Sequence, residues 1–303
     1  MMDIIQLERY YTKAELEDIY TTLTLLTEKL HAQPEQPTWI QAVANMRHID
    51  VKYFNDLKCF FIPNLEYLQE VLGETIYKDL RYGFINTNGK YVSSTFKARF
   101  IFPCWNMKNK VVGFIGYDSD APSYKYLLST TVGFEKSMIT LGYDYLDYIY
   151  KCDYVILVEG VMDYLRLRSL GYPVICLQGT LIYPNIRRII NRVSHTITFL
   201  DTDSAGMKAR LTVLKTLKAN TDIQLKLYGL GKMDADTYLM FKENADHFKE
   251  VIERIKVDWT ESKYLTEVLE NHSPELTEKI RKALEQEAEL QERLKQLKEE
   301  GTI

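Results

Sequence analysis

The chain has 303 residues, a formal net charge of −4, a hydrophobic fraction of 46% and a charged fraction of 26%, the balance of an ordinary globular protein long enough for two or three domains. No apolar run approaches the ~20 residues that span a bilayer, and Met1-Met2-Asp3-Ile4-Ile5-Gln6 has neither the basic nor the apolar region of a signal peptide, so no membrane partner and a cytoplasmic location are expected. The acidic balance speaks against a generic nucleic-acid coat but is compatible with a local basic groove.

Thr12-Lys13-Ala14-Glu15 is a capping box, and Leu16, Ile19, Tyr20, Leu23 and Leu26 follow at helical spacing, which predicts an amphipathic helix over 13–31. Gln33-Pro34-Glu35-Gln36-Pro37 breaks it. Short helices from about Trp39 to Met46 and Asp50 to Leu57 complete a packing module. Tyr91-Val92-Ser93 and Arg99-Phe100-Ile101-Phe102-Pro103 read as strands. Asn106-Met107-Lys108-Asn109 reads as a hairpin turn into Val111-Val112-Gly113-Phe114-Ile115-Gly116. This α+β stretch interleaves Arg99, Lys108, Lys110, Lys125 and Lys136 with Phe102, Trp105, Tyr124 and Tyr126. Such residues suit phosphate contacts and base stacking, and equally decorate any surface.

Residues 152–236 alternate: strand 154–158, helix 160–170, strand 173–177, helix 184–193, strand 196–200, helix 205–218, strand 223–228. A βαβ series implies a mainly parallel sheet. Gln178-Gly179-Thr180 falls at a strand end, where glycine permits either a close approach to a ligand or a simple turn. After Phe241 the pattern is helical, and beyond Ser273-Pro274 the residues Leu276, Ala283, Leu290 and Leu297 recur at heptad spacing. Cys59, Cys104, Cys152 and Cys176 contain no Cys-x-x-Cys pair, so no structural zinc is expected.

The chemistry concentrates where apolar strands stop at acids. Glu159 and Asp163 follow the first strand, Asp201 and Asp203 another, Asp234 and Asp236 the last. One acid near a helix start is a cap. Three acidic pairs after three strands of one series put many carboxylates on the carboxyl edge of the sheet, where open α/β architectures bind ligands. Converging carboxylates repel unless cations neutralise them, and hard oxygen donors suit Mg²⁺ or Mn²⁺.

Val158-Glu159-Gly160-Val161-Met162-Asp163, Gln178-Gly179-Thr180 and Asp201-Thr202-Asp203-Ser204-Ala205-Gly206, in this order, resemble the Toprim domain of bacterial primases, topoisomerases and some nucleases. The Arg99–Pro103 and Val112–Gly116 stretches, Tyr124-Lys125-Tyr126-Leu127 and Gly231-Lys232-Met233-Asp234-Ala235-Asp236 resemble the flanking segments of DnaG-type primase cores, a likeness spanning roughly 40–245. The resemblance implies an α/β fold with a Toprim-type parallel sheet flanked by helices, an α+β basic subdomain before it and a helical tail after it. The expected divisions are 1–140, 141–240 (Toprim) and 241–303. It implies DNA-dependent synthesis of short RNA primers by two-metal nucleotidyl transfer, with Toprim nuclease or non-catalytic replisome adaptor as alternatives. By similarity, Glu159, Asp201, Asp203, Asp234 and Asp236 would hold two or more Mg²⁺ or Mn²⁺ ions, supported by Asp163. Glu159, Asp201 and Asp203 would be catalytic. Arg99, Lys125, Tyr126, Lys136, Gly179 and Thr180 would meet nucleotide or template. The implied partners are single-stranded DNA, NTPs, a replicative helicase and a separate zinc-bearing protein, because no zinc-binding segment is present in the sequence. Tyr117 and Ser204 stand where the family commonly has basic residues. The compact size suits a phage-encoded primase working in a bacterial cytoplasm.

Overall fold

A computed structural model describes residues 11–88, 91–94, 96–118, 125–129, 141–179, 182–201, 220–227, 234–258 and 264–271. They fall into two compact units, one of residues 11–46 and 50–129, the other of 47–49 and 141–271. The expected helix 205–218, the heptad segment and Asp203, Lys136 and Thr180 lie outside the described residues.

The first unit opens with helix α1 (Lys13–His31), held at its start by the expected reciprocal cap: Thr12 Oγ1 accepts from Glu15 N at 3.3 Å and Glu15 Oε2 from Thr12 N at 2.6 Å. Helices α2 (Gln36–Arg47) and α3 (Val51–Asp56) follow, with Asp50 capping α3. Pro37 sits in the first turn of α2, where its missing N–H has no partner to lose. After β1 (Phe60–Ile62), α4 (Leu65–Leu72) and α5 (Glu74–Tyr77) come the hairpin of β2 (Ile85–Asn88) and β3 (Tyr91–Ser94), then β4 (Arg99–Trp105), β5 (Val111–Tyr117) and β6 (Tyr126–Leu128). The main sheet is antiparallel, ordered β1-β4-β5-β6. Its tight turn is built by Asn106, whose Oδ1 accepts from Lys108 N at 2.9 Å and Lys110 N at 3.1 Å, with Asn109 in the left-handed region at φ 55°. Strand β5 is buried throughout, and Phe114 at its centre meets Phe60, Phe84 and Phe96 with ring centroids 5.8, 5.1 and 6.3 Å away.

The second unit contains α6 (Leu146–Cys152), β7 (Tyr154–Val158), α7 (Val161–Ser169), β8 (Val174–Cys176), α8 (Pro184–Ile190), β9 (His195–Thr198), β10 (Asn220–Leu227), α9 (Ala235–Leu239), α10 (Lys242–Asp258) and β11 (Tyr264–Asn271). All five strands are parallel, in the order β11-β10-β9-β7-β8. Val155 and Leu157, two apart and therefore on one side of the sheet, pack with Ile149 of α6 and Ile186 and Ile189 of α8. Phe199, adjacent in sequence to Leu200 of that cluster, stacks instead on Phe248 of α10 at 5.3 Å. Helices thus cover both faces, and β7 is apolar at every position because it is buried on both sides.

One expectation fails here. A helical run through 241–303 is interrupted at Tyr264–Asn271, which pairs in parallel along the whole of β10, from Asn220↔Tyr264 to Leu227↔Asn271. Tyr264, Leu265, Thr266, Val268 and Leu269 are strand-compatible residues, and the open edge of β10 decides their conformation over local helical tendency.

His195 is 2% exposed and hydrogen-bonded to Thr221 Oγ1 at 2.8 Å across the β9–β10 pair. Burial depresses its pKa from 6.5 to about 4. As pH falls below 6.5 the unfolded chain takes up a proton that the folded one refuses, so stability drains away down to about pH 4 and is flat below it. A parent-minus-His195→Gln comparison of denaturant midpoints should show this loss, about 3 kcal/mol over that window; superposed pH profiles would contradict it.

Candidate active site

The strand order makes the site. From β7 the chain moves through α7 to β8 on one side, then returns through α8 to β9 on the other. The reversal opens a crevice between the carboxyl ends of β7 and β9, the position at which such sheets bind ligands. Leu157 pairs with Thr198, and Phe199 N donates to Leu157 O at 2.9 Å. Glu159 and Asp201 therefore stand just past the ends of neighbouring strands, both half-buried.

Asp163 stitches this edge together. It is 5% exposed on the first turn of α7. Its Oδ2 accepts from Gly160 N at 3.1 Å, and its Oδ1 accepts from Asp236 N, on α9, at 2.8 Å. Gly160 is required by this approach, since a Cβ there would lie 2.6 Å from Asp163 Oδ2. Burial pushes the Asp163 carboxyl well above its ordinary pKa, and the charges of Asp234 and then Asp201 push the same way. Asp201 and Asp234 are thus each within electrostatic reach of Asp163. Asp234 is the N-cap of α9, its Oδ1 accepting from Thr237 N at 2.9 Å.

Asp236, grouped with the metal ligands on sequence, is placed differently. Its Oδ1 accepts from Arg166 Nε at 2.8 Å and its Oδ2 from Arg47 Nη1 at 3.4 Å. Neither arginine stood out in the sequence. The available signal was an arginine three residues after Asp163, hence on the same side of α7, in a helix otherwise buried from Val161 to Leu167.

At the end of β8, Gln178 and Gly179 both have positive φ, 53° and 139°. For Gln178 this is a costly conformation of the kind that clusters at functional sites. Its side-chain amide nitrogen and oxygen are buried without hydrogen-bond partners among the described residues.

The expected basic residues of the first unit form their own group. Arg99 starts β4, and its Nη1 donates to Lys125 O at 3.1 Å, a carbonyl that also accepts from Asp118 N at 2.9 Å. Lys125 is exposed, and Tyr126 is 37% exposed with its ring against the buried Tyr117 at 5.1 Å. Gly116 lets Arg99 pass, because a Cβ there would meet Phe96 Cδ1 at 2.5 Å and Arg99 Cδ at 3.0 Å. Arg99, Lys125 and Tyr126 thus lie together at one end of the antiparallel sheet, across β4 to β6.

Residues 156–239 match a family described as Toprim-like. The DNA primase of Synechococcus elongatus is 30% identical over 184 residues, 57% of this chain and 26% of that protein. The DNA primase of Borreliella burgdorferi is 32% identical over 174 residues, 56% and 32% of the two chains. The chain thus spans about a quarter to a third of the length of these relatives. Among solved structures, the zinc-binding and RNA polymerase domains of the Aquifex aeolicus primase superpose with a TM-score of 0.64 at 23% identity, covering 84% of this chain and 63% of that one. A DnaG primase catalytic domain bound to single-stranded DNA gives a TM-score of 0.65 at 21% identity, covering 80% of each. The chain has the fold of a DnaG-type primase catalytic core.

The Toprim-like match runs along the parallel sheet of the second unit, and Glu159, Asp163, Asp201 and Asp234 lie at the carboxyl edge of that sheet. The same edge carries the strained Gln178-Gly179 turn. No helix among the described residues is long and apolar enough to cross a membrane.

Proposed function

We propose that the chain is a DNA primase core that joins NTPs into short RNA on a single-stranded DNA template. The observation that carries this reading is the set of carboxylates at the switch point of the Toprim sheet, in a chain whose fold follows the DnaG catalytic core through both units. The donor set fits divalent cations: Glu159, Asp201 and Asp234 offer hard oxygens, and Asp163, raised first by burial and then by the charges of Asp234 and Asp201, lies among them. Glu159, Asp201, Asp203 and Asp234 would hold Mg²⁺ or Mn²⁺. When bound, such ions activate the primer 3′-hydroxyl and stabilise the departing pyrophosphate.

The chain's own residues position and neutralise. Asp163 fixes the Glu159 turn to the start of α9 and so sets the spacing of the acids. Arg99 and Lys125 would meet phosphates and Tyr126 would stack on a base, and Lys136, Gly179 and Thr180 would likewise contact nucleotide or template. Tyr117 adds no fixed charge behind Tyr126, which shifts this edge towards stacking. A separate zinc-bearing protein and a replicative helicase would supply site selection and recruitment.

The test is template-directed synthesis with purified protein, single-stranded DNA, NTPs and Mg²⁺ or Mn²⁺, with and without candidate helicase and zinc-bearing proteins. Short RNA is expected, and Glu159→Gln should make none. No RNA in any mixture, together with metal-dependent nicking of DNA in the absence of NTPs, would replace this reading by a nuclease. Within the same assay, Lys125→Ala should weaken template binding most at low salt and lower the slope of log K against log salt by about one. An unchanged slope would remove Lys125 from the binding surface.

A further inference from the structure

Asp236 differs from the other acids of the Toprim edge in the company it keeps. Its side chain is 3% exposed, that of Arg166 is 5% and that of Arg47 is 13%. Both carboxylate oxygens face guanidinium groups, at 2.8 and 3.4 Å. Arg166 is anchored on its far side as well: Nη1 donates to His48 O at 2.9 Å and Nη2 to Arg47 O. A divalent cation drawn to Asp236 would sit beside two permanent positive charges in a poorly screened interior. The backbone of Asp236 reaches the opposite way, its N–H donating to Asp163 Oδ1, while Asp163 Oδ2 takes Gly160 N. A continuous line of contacts thus runs from Arg47 and Arg166 through Asp236 and Asp163 to the turn that carries Glu159, passing two residues from Asp234.

We infer that Asp236, Arg166 and Arg47 form a buried clamp that positions Asp163 and Asp234 around the cation, and that Asp236 is a positioning residue instead of a ligand. The inference rests on the reading of this edge as a divalent-cation site. Arg166 matters most, because a guanidinium can hold a carboxylate and two carbonyls at once, whereas an ammonium is a point charge without that fork.

Mn²⁺ binding to the full chain, followed by the electron paramagnetic resonance of the free ion, separates the roles. Asp234→Asn should raise the Mn²⁺ Kd more than tenfold, and Asp236→Asn less than about threefold. Arg166→Lys should raise it about tenfold with an unchanged circular dichroism spectrum, the size expected when a group behind the ligands is disturbed. An Asp236→Asn loss equal to that of Asp234→Asn would make Asp236 a ligand and overturn the clamp. So would an Arg166→Lys protein that binds Mn²⁺ like the parent, and this arm decides if Asp236→Asn does not fold. A parent that binds no Mn²⁺ would sink the cation-site reading itself, and the clamp with it.

Discussion

On the primase reading proposed above, Asp201→Asn is expected to abolish primer synthesis, by about a thousandfold or more, while leaving the metal-free protein as stable as the parent or more so. The activity loss follows from catalysis by positioned charge, in which each carboxylate facing the cations acts on a transition state rich in negative charge. The stability follows from electrostatics in the absence of ions. Asp201 is one of the charges that push the buried Asp163 carboxyl upward, so removing it relieves repulsion. Primer yield and melting temperature without divalent ions check the two halves. A melting point that drops by several degrees would mean that Asp201 holds the fold together.

Phe114→Ala has the largest expected effect on stability, about 3–5 kcal/mol, the range for emptying a packed aromatic site. Phe114 is 0% exposed, and three aromatic rings close on it from β1, from Phe84 and from Phe96. Its backbone is also tied to Ser129, through Ser129 N to Phe114 O at 2.9 Å and Phe114 N to Ser129 Oγ at 3.0 Å. A cavity here loosens the strand pair that carries Lys125 and Tyr126 on β6 and its approach. Template affinity should therefore fall along with the denaturant midpoint. A midpoint within 1 kcal/mol of the parent would show that the ring cluster collapses to refill the space.

What could be read from the sequence was local. The capping box at Thr12, the Asn106 turn and the strand–helix alternation from Tyr154 to Ile197 each depend on residues a few positions apart, and all appear where expected. Strand order was not legible. That β7 lies between β8 and β9, which creates the crevice, depends on how crossovers pack and leaves no mark on periodicity. The acids of the candidate site were legible as types and spacings, yet their division of labour was not. Asp234 and Asp236 look equivalent in the chain. Asp236 takes partners 70 and 189 residues away, whereas Asp234 caps its own helix. Residues 264–271 were misread for the same reason, since the edge they complete is built from a segment more than 40 positions earlier.

The last strand has a practical consequence for anyone dissecting the molecule. Both the Toprim-like match, which stops at residue 239, and a boundary drawn at 240 would release a fragment without β11. Such a fragment would bare the outer rim of β10 along eight consecutive residues, a template for adhesion between copies. With β11 in place that rim is paired along its whole length. A shortened version that precipitates would therefore be reporting a missing border, and would not count against the crevice between β7 and β9.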